Sequence, residues 1–276
     1  MVERDAPDPQ SSQTGSLPLP SFPERNIMWR DPGAVIRMYK DLLLAKGEPV
    51  VERLAEGPLP KYVYHPTPFT PEQAALAGLD PTKTYVVSVP EEVMFQIFAY
   101  GDRITLEEHV AVIKSIGDGK NVPIRIHSSC LTGETFHATN CDCHAQMERA
   151  EEIIVERGVG GIIWLHQEGR GNGLAAKVDQ LKIMHERGLN SVEAYGALGL
   201  PSEQRDFTVA AHILRDLGIE SIQLITNSPE KIRQLQELGI VVTEIIPCVV
   251  PFLSEMARQD LRAKRDNHGH FFSEEL

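Results

Sequence analysis

Three of the four cysteines fall in one run, Cys130-Leu-Thr-Gly-Glu-Thr-Phe-His-Ala-Thr-Asn-Cys141-Asp-Cys143, and it constrains the fold more than any other feature of the chain. Three thiolates make a zinc site with one coordination position left over. Structural zinc sites close with four Cys or His ligands, whereas a catalytic zinc keeps three protein ligands and an exchangeable water. The pattern therefore predicts a water-activating ion. Zinc facing three thiolates is electron-rich and a modest Lewis acid, so it needs acid/base groups nearby.

Three other readings of the cysteines compete. They are three buried core thiols, a disulfide, or a zinc-ribbon module. A bridge between Cys141 and Cys143 would close over a single residue, and no signal peptide points to an oxidising compartment. A zinc ribbon needs paired Cys-x-x-Cys knuckles, and only one cysteine cluster exists. Cys248, alone near a predicted strand end, reads as a core residue.

The chain has 276 residues, 42% hydrophobic and 24% charged, enough to build a sizeable core without disulfide staples. No apolar run reaches membrane-spanning length, so the expectation is a cytoplasmic protein with no membrane partner. A net charge of −12 argues against a nucleic-acid polymer as partner, because that needs a basic face. A phosphorylated ligand would need a local basic pocket.

Residues 1–25 carry Pro7, Pro9, Pro18, Pro20 and Pro23 among polar side chains and are expected to form a flexible tail. From Asp31 the apolar positions Val35, Ile36, Met38, Tyr39, Leu42, Leu43 and Leu44 recur at helical spacing, up to Gly47. Residues 48–85 read as mostly loop, so that 26–85 form a helical and loop-like N-terminal extension. Strand-like runs follow at 85–90, 93–99, 109–114 and 122–127. Beyond the cysteines the pattern gives a helix at 144–157, a strand at 161–166, a helix at 174–187 and a helix at 207–217 capped by Asp206. A strand at 222–226, a helix opened by Asn227-Ser228-Pro229 and a strand at 241–246 complete it. This alternation predicts an α/β core over residues 86–276.

The chemistry-bearing residues cluster at the ends of those strands. Arg125 lies in the strand that runs into Cys130, and Gln146 falls three residues after Cys143. The stretch His166-Gln-Glu168-Gly-Arg170-Gly-Asn-Gly-Leu-Ala-Ala-Lys177 joins a strand to a helix, where backbone amides favour anions. It has neither the Walker spacing nor the dinucleotide fingerprint. Ser202-Glu203-Gln204-Arg205-Asp206-Phe207 sets a carboxylate and a guanidinium before a helix, and Thr226-Asn-Ser-Pro-Glu-Lys231 repeats the strand-to-helix arrangement. Arginine fits phosphate by bidentate geometry and lysine as a point charge. Singly these motifs also fit a plain strand-to-helix connection or a surface helix cap, but Arg125, Arg170, Lys177, Arg205 and Lys231 together lead to the expectation of a polyphosphate pocket in an acidic chain.

Over roughly Val87 to His270 these residues resemble the GTP cyclohydrolase II family. Arg125-Ile-His-Ser-Ser-Cys-Leu-Thr-Gly-Glu is similar to the family's Arg-Val-His-Ser-Glu-Cys-Leu-Thr-Gly-Asp, and the cysteine gaps match its zinc spacing. Gln-Glu-Gly-Arg at 167–170, Lys177, Arg-Asp-Phe-Thr at 205–208, Leu-Ile-Thr-Asn at 224–227 and Gly269-His270 follow in family order. The resemblance implies a mixed sheet with flanking helices, a homodimer, a nucleoside triphosphate substrate, and zinc on Cys130, Cys141 and Cys143 with magnesium assisting. It implies nucleotide contacts from Arg125, Ile126, His127, Ser128, Ser129, Gln146, Glu168, Gly169, Arg170, Ser191, Thr226 and Lys231. Glu203 falls at the family's proton acceptor, and Arg205 at the arginine proposed to attack the α-phosphate.

Some positions depart from the family pattern. Members that make the riboflavin precursor carry a tyrosine four residues after the lysine matching Lys177, and none occurs here before Tyr195. Ser129 replaces a glutamate, Glu203-Gln204 replaces Asp-Glu, and Gly171-Asn172 replaces Asn-Ile. These changes lead to the expectation of the same reaction type on a different base, a uracil nucleotide such as UTP, as in a uracil-catabolism branch of the family. The alternatives are a GTP cyclohydrolase II releasing formate and pyrophosphate for riboflavin, and a non-catalytic zinc-containing nucleotide sensor.

Overall fold

Four prolines in the first strand explain where the chain departs from its sequence pattern. In a computed structural model that describes residues 32–250 and 254–271, β1 (Val51–Pro68) pairs antiparallel with β2 (Val86–Asp102). Residues 51–68 are therefore strand, a correction to the reading of 48–85 as mostly loop, while turns and loop remain over much of 69–85. Pro58, Pro60, Pro66 and Pro68 share one parity, so their missing N–H groups all face the outer edge of β1, where no ladder bond is lost. A short helix, α2 (Pro71–Leu76), with a Thr70–Gln73 capping box, lies between the two strands. The runs at 85–90 and 93–99 are one strand, because Pro90 lies beyond the Gln96–Gly101 stretch that pairs with β3 (Glu108–Ser115). The tail expected at 1–25 lies outside the described residues.

The sheet has the order β1-β2-β3-β5-β4-β6-β7, with β4 (Val122–Ser128), β5 (Gly160–Leu165), β6 (Ser221–Ile225) and β7 (Val241–Ile246) parallel and the rest antiparallel. This is the mixed α/β sheet that the sequence predicts. Its faces are covered by different helices. Ile124, Ile126 and Ile163 pack with Val209, Ile213 and Leu214 of α7 (Thr208–Asp216) and with Leu43 of α1 (Pro32–Ala45). On the other face Ile162 and Ile225 meet Ala150, Ile153 and Ile154 of α4 (Cys143–Arg157). Burying such side chains contributes about 1.5–3 kcal/mol each. Cys130, Cys141 and Cys143 lie outside both clusters, although α4 begins at Cys143.

From β4 the chain winds one way to β5, then crosses back over β4 to β6 and β7. Ligands of open α/β sheets bind at such a reversal, outside the carboxyl ends of the strands. The elements that border this end are α3 (Leu131–Glu134), the 3-10 turn Glu168–Gly171, α5 (Gly173–Arg187), α6 (Ser191–Ala197), α8 (Pro229–Glu237) and α9 (Glu255–His268). Among the described residues no helix is long and apolar enough to cross a membrane.

Candidate metal and nucleotide site

The end of β4 delivers Cys130, and the loop before α4 returns Cys141 and Cys143 to it. Their ligand atoms all lie within 4.8 Å of one another, and the Cys130 and Cys141 sulfurs are 3.8 Å apart. A tetrahedral ion with metal–sulfur bonds of about 2.3 Å requires sulfurs roughly that far apart. Gly133 lies against the triad, where a Cβ would come within 2.8 Å of the Cys141 sulfur, so the loop is shaped around the thiols. All three are free cysteines. Hydrogen bonds from Cys141 and Cys143 hold the Cys130 thiol down to about 3, and contact with Cys130 is the largest cause that pushes the other two thiols up. A divalent cation removes this conflict, so the donor set fits a metal.

Glu134 braces the start of the cysteine loop. Its carboxylate accepts the Cys130 backbone N–H at 2.5 Å and the Trp164 indole N–H at 2.8 Å, and lies 3.1 Å from His127 Nε2. Burial pushes the His127 imidazole down from its ordinary value. Glu168 ties the next loop to the same place, accepting the Leu131 N–H at 2.6 Å. Its neighbours Gly169 and Arg170 both adopt left-handed backbone, φ 61° and 57°. That conformation is strained for arginine. It is held by the Tyr195 hydroxyl, which donates to the Gly169 carbonyl at 2.9 Å, and by the Gln204 N–H, which donates to the Arg170 carbonyl at 3.0 Å.

The cations converge from separate elements. Arg125 on β4 donates to the Ile225 carbonyl at 3.2 Å and to Gln146 Oε1 at 2.5 Å, while Gln146 donates to Asp142. Arg170 reaches Ser191 Oγ at 2.8 Å. Glu203 holds the Arg205 guanidinium through both carboxylate oxygens. Burial pushes the Glu203 carboxyl up, but the Arg205 hydrogen bond and charge outweigh it and keep the group below the usual carboxylate range. Lys231, capped into α8 by Ser228, is buried and donates to the Ile126 carbonyl at 2.6 Å. Burial, then Arg125 and Arg205, push its ammonium well below the ordinary lysine value.

Every candidate metal, nucleotide, phosphate and catalytic residue read from the sequence lines this cleft, except Ile126, whose buried side chain faces the core and whose carbonyl serves Lys231. Among the described residues eight side chains hold a buried polar atom without a hydrogen-bond partner, and five of these, Arg125 Nε, His127 Nδ1, Ser128 Oγ, Gln167 Oε1 and Gln180 Oε1, belong to the lining. Buried polar groups left unpaired at a site await a ligand or water.

One wall was missed. Asp260, Lys264 and His268 line the cleft from α9, and Tyr195 from α6. Lys264 is 2.7 Å from Asp260 and 3.5 Å from Asp142, which lies between Cys141 and Cys143; Asp260 is 3.4 Å from Arg170. Burial raises Asp260, but Lys264 and Arg170 overcome it and hold the carboxyl far below the usual range. The signal was available, since the four-residue spacing of Asp260, Lys264 and His268 puts them on one helix face. The Asn190–Glu193 capping box that opens α6 was equally legible.

The family profile described as GTP cyclohydrolase II matches residues 83–247. A GTP cyclohydrolase-2 of Neisseria gonorrhoeae is 45% identical over 169 residues, which is 61% of this chain and 85% of that protein. A riboflavin biosynthesis protein RibBA of Endomicrobium trichonymphae is 39% identical over 177 residues, 64% of this chain and 43% of that protein. The chain thus spans less than half of that longer relative. A solved two-domain 3,4-dihydroxy-2-butanone 4-phosphate synthase from A. baumannii is 16% identical with a TM-score of 0.32, covering 71% of this chain and 43% of that one.

Proposed function

The chain belongs to the GTP cyclohydrolase II family, and from that premise we propose that it hydrolytically opens the base of GTP in this cleft, releasing formate and pyrophosphate. The observation that carries the reading is the meeting of three thiolates with Arg170, Arg205 and Lys231 at the ends of β4, β5 and β6. Ring hydrolysis needs an activated water, a proton acceptor and counter-charge for a triphosphate.

A zinc ion on Cys130, Cys141 and Cys143 would supply the Lewis acidity that activates water toward the ring. The side chains do the rest. Glu203 stays ionised, so it has no proton to donate and is free to act only as an acceptor. Arg205 stays a cation, because the Glu203 contact outweighs the effect of burial, and it binds phosphate charge. Arg125 and Asp142 fix both ends of the Gln146 amide, which presents one orientation to the base edge. Lys231 meets the phosphates as a point charge. Magnesium with the triphosphate and a homodimeric assembly belong to the same proposal.

The relatives above, named for GTP cyclohydrolase and riboflavin biosynthesis, give the uracil expectation no support. The departures behind that expectation have local roles. Ser129 Oγ accepts the Gln167 N–H at 3.0 Å, and Asn172 braces the Gly169 and Pro201 carbonyls at 3.1 and 3.0 Å. The cleft does not lack a tyrosine either, since Tyr195 enters it from α6. A sensor would have no use for an ionised carboxylate beside an open three-thiolate site.

Incubating the zinc-loaded chain with GTP and UTP in parallel tests the base. The purine absorbance should change and pyrophosphate appear with GTP, and the uracil absorbance should persist. Loss of uracil absorbance with GTP intact would return the choice to the uracil reading, and tight binding without turnover of either would indicate a sensor.

A further inference from the structure

Helix α7 is gripped at both ends by side chains from a segment that precedes the family match. At its start, Asp206 Oδ1 accepts the Thr208 N–H at 2.7 Å, while Asp206 Oδ2 faces Lys40 Nζ at 3.4 Å. Lys40 lies on α1 and is 8% exposed, so its ammonium is withdrawn from water to meet that carboxylate. At the other end, Asp216 Oδ2 receives Arg53 Nε at 2.9 Å, Arg53 Nη2 at 2.6 Å and the buried Tyr100 hydroxyl at 2.8 Å. A carboxylate on the last residue of a helix opposes the helix dipole unless a cation meets it. Arg53, at the start of β1, is that cation.

The two contacts share a rigid backing. Leu43, Val50 and Val51 pack in the same cluster as Phe207, Val209 and Ile213, so the segment and the helix are joined by core as well as by charge. The helix in turn carries the Glu203–Arg205 pair on its N-terminal side. Asp206 follows Arg205 directly, and its backbone carbonyl accepts Gln167 Nε2 at 2.6 Å, beside the Glu168–Arg170 turn. A shift of the start of α7 therefore moves Arg205 relative to the thiol triad.

We propose that the segment Pro32–Arg53 is a splint that sets the position of Glu203 and Arg205 through α7, with Lys40 and Arg53 as its positioning residues. This rests on the reading of Glu203 and Arg205 as working groups of the cleft. Asp206 and Asp216 are each about two-fifths exposed at the side chain, so each carboxylate stays within reach of water when its cation is removed. A merely structural role would thus leave turnover unchanged, whereas a positioning role lowers kcat, since small misplacements are costly in catalysis.

The test compares the zinc-loaded full chain with Lys40→Ala, Lys40→Arg, Arg53→Ala and the Lys40→Ala/Arg53→Ala double variant. Amide exchange over residues 204–208 should be about threefold faster in Lys40→Ala and near normal in Lys40→Arg, whose cation retains the contact. The kcat for GTP should fall about tenfold in the double variant while KM stays within about twofold. Unaltered exchange in the double variant overturns the splint, and so does altered exchange with unaltered kcat. A kcat loss that Lys40→Arg does not rescue, accompanied by a large fall in Tm, overturns it in favour of general destabilisation. If the unmodified chain leaves GTP untouched, the substrate assignment fails, while the exchange result still decides whether the segment holds the loop.

Discussion

Replacing Cys141 with serine is expected to reduce bound zinc from one per chain to a trace and to abolish turnover. The sulfurs of Cys130 and Cys141 already stand 3.8 Å apart, and Gly133 packs so closely that a Cβ there would come within 2.8 Å of the Cys141 sulfur. Even residues that only orient metal ligands cost about 10–100-fold in affinity when removed, so loss of a direct ligand costs more. The fold should survive. Both apolar clusters are built away from the triad, so far-UV circular dichroism of the variant should match the parent. Full zinc content with full activity in Cys141→Ser would remove the thiols from the site.

The second large effect is expected from Lys231→Ala. Its buried ammonium has the Ile126 carbonyl as its hydrogen-bond acceptor and lies near Arg125 and Arg205, so an incoming phosphate relieves both repulsion and desolvation. Losing one buried charge-assisted contact costs about 1.5–3 kcal/mol, or on the order of 10–150-fold in affinity. The pH dependence has a definite sign. Because the ligand-free pKa is depressed, the charge is lost as pH rises through that lowered value, and triphosphate affinity falls with it. Binding near that pH should take up a proton, and Lys231→Ala should abolish the uptake. For folding, the unfolded chain binds more protons between the depressed and the ordinary lysine values, so this group makes the ligand-free protein more stable as pH rises there. Calorimetry in buffers of different ionisation enthalpy measures the proton uptake; an unchanged affinity in the variant would place the phosphates elsewhere.

Residues whose meaning is carried by close spacing were readable from the chain. The cysteine gaps, the Ser228-Pro229 helix start and the buried run of β4 each encode their geometry locally. What escaped depends on distant partners. Prolines made β1 look like a loop, because nothing in its own sequence says that one edge is free and β2 occupies the other. Asp260 and Lys264 look like an ordinary solvated helix face until Asp142 and Arg170 are placed against them. The loss of a tyrosine after Lys177 was visible, but the arrival of Tyr195 in the same cleft required the fold of α6 against the Gly169 turn.

Titrating zinc into metal-free protein while counting formate released from GTP decides whether the thiol triad and the basic cleft form one hydrolytic site. Formate production should rise with added zinc, level off at one ion per chain, and be absent in Cys141→Ser at the same zinc concentration. A chain that carries one zinc on these thiols and releases no formate from GTP, or one that releases it equally without zinc, would contradict that reading.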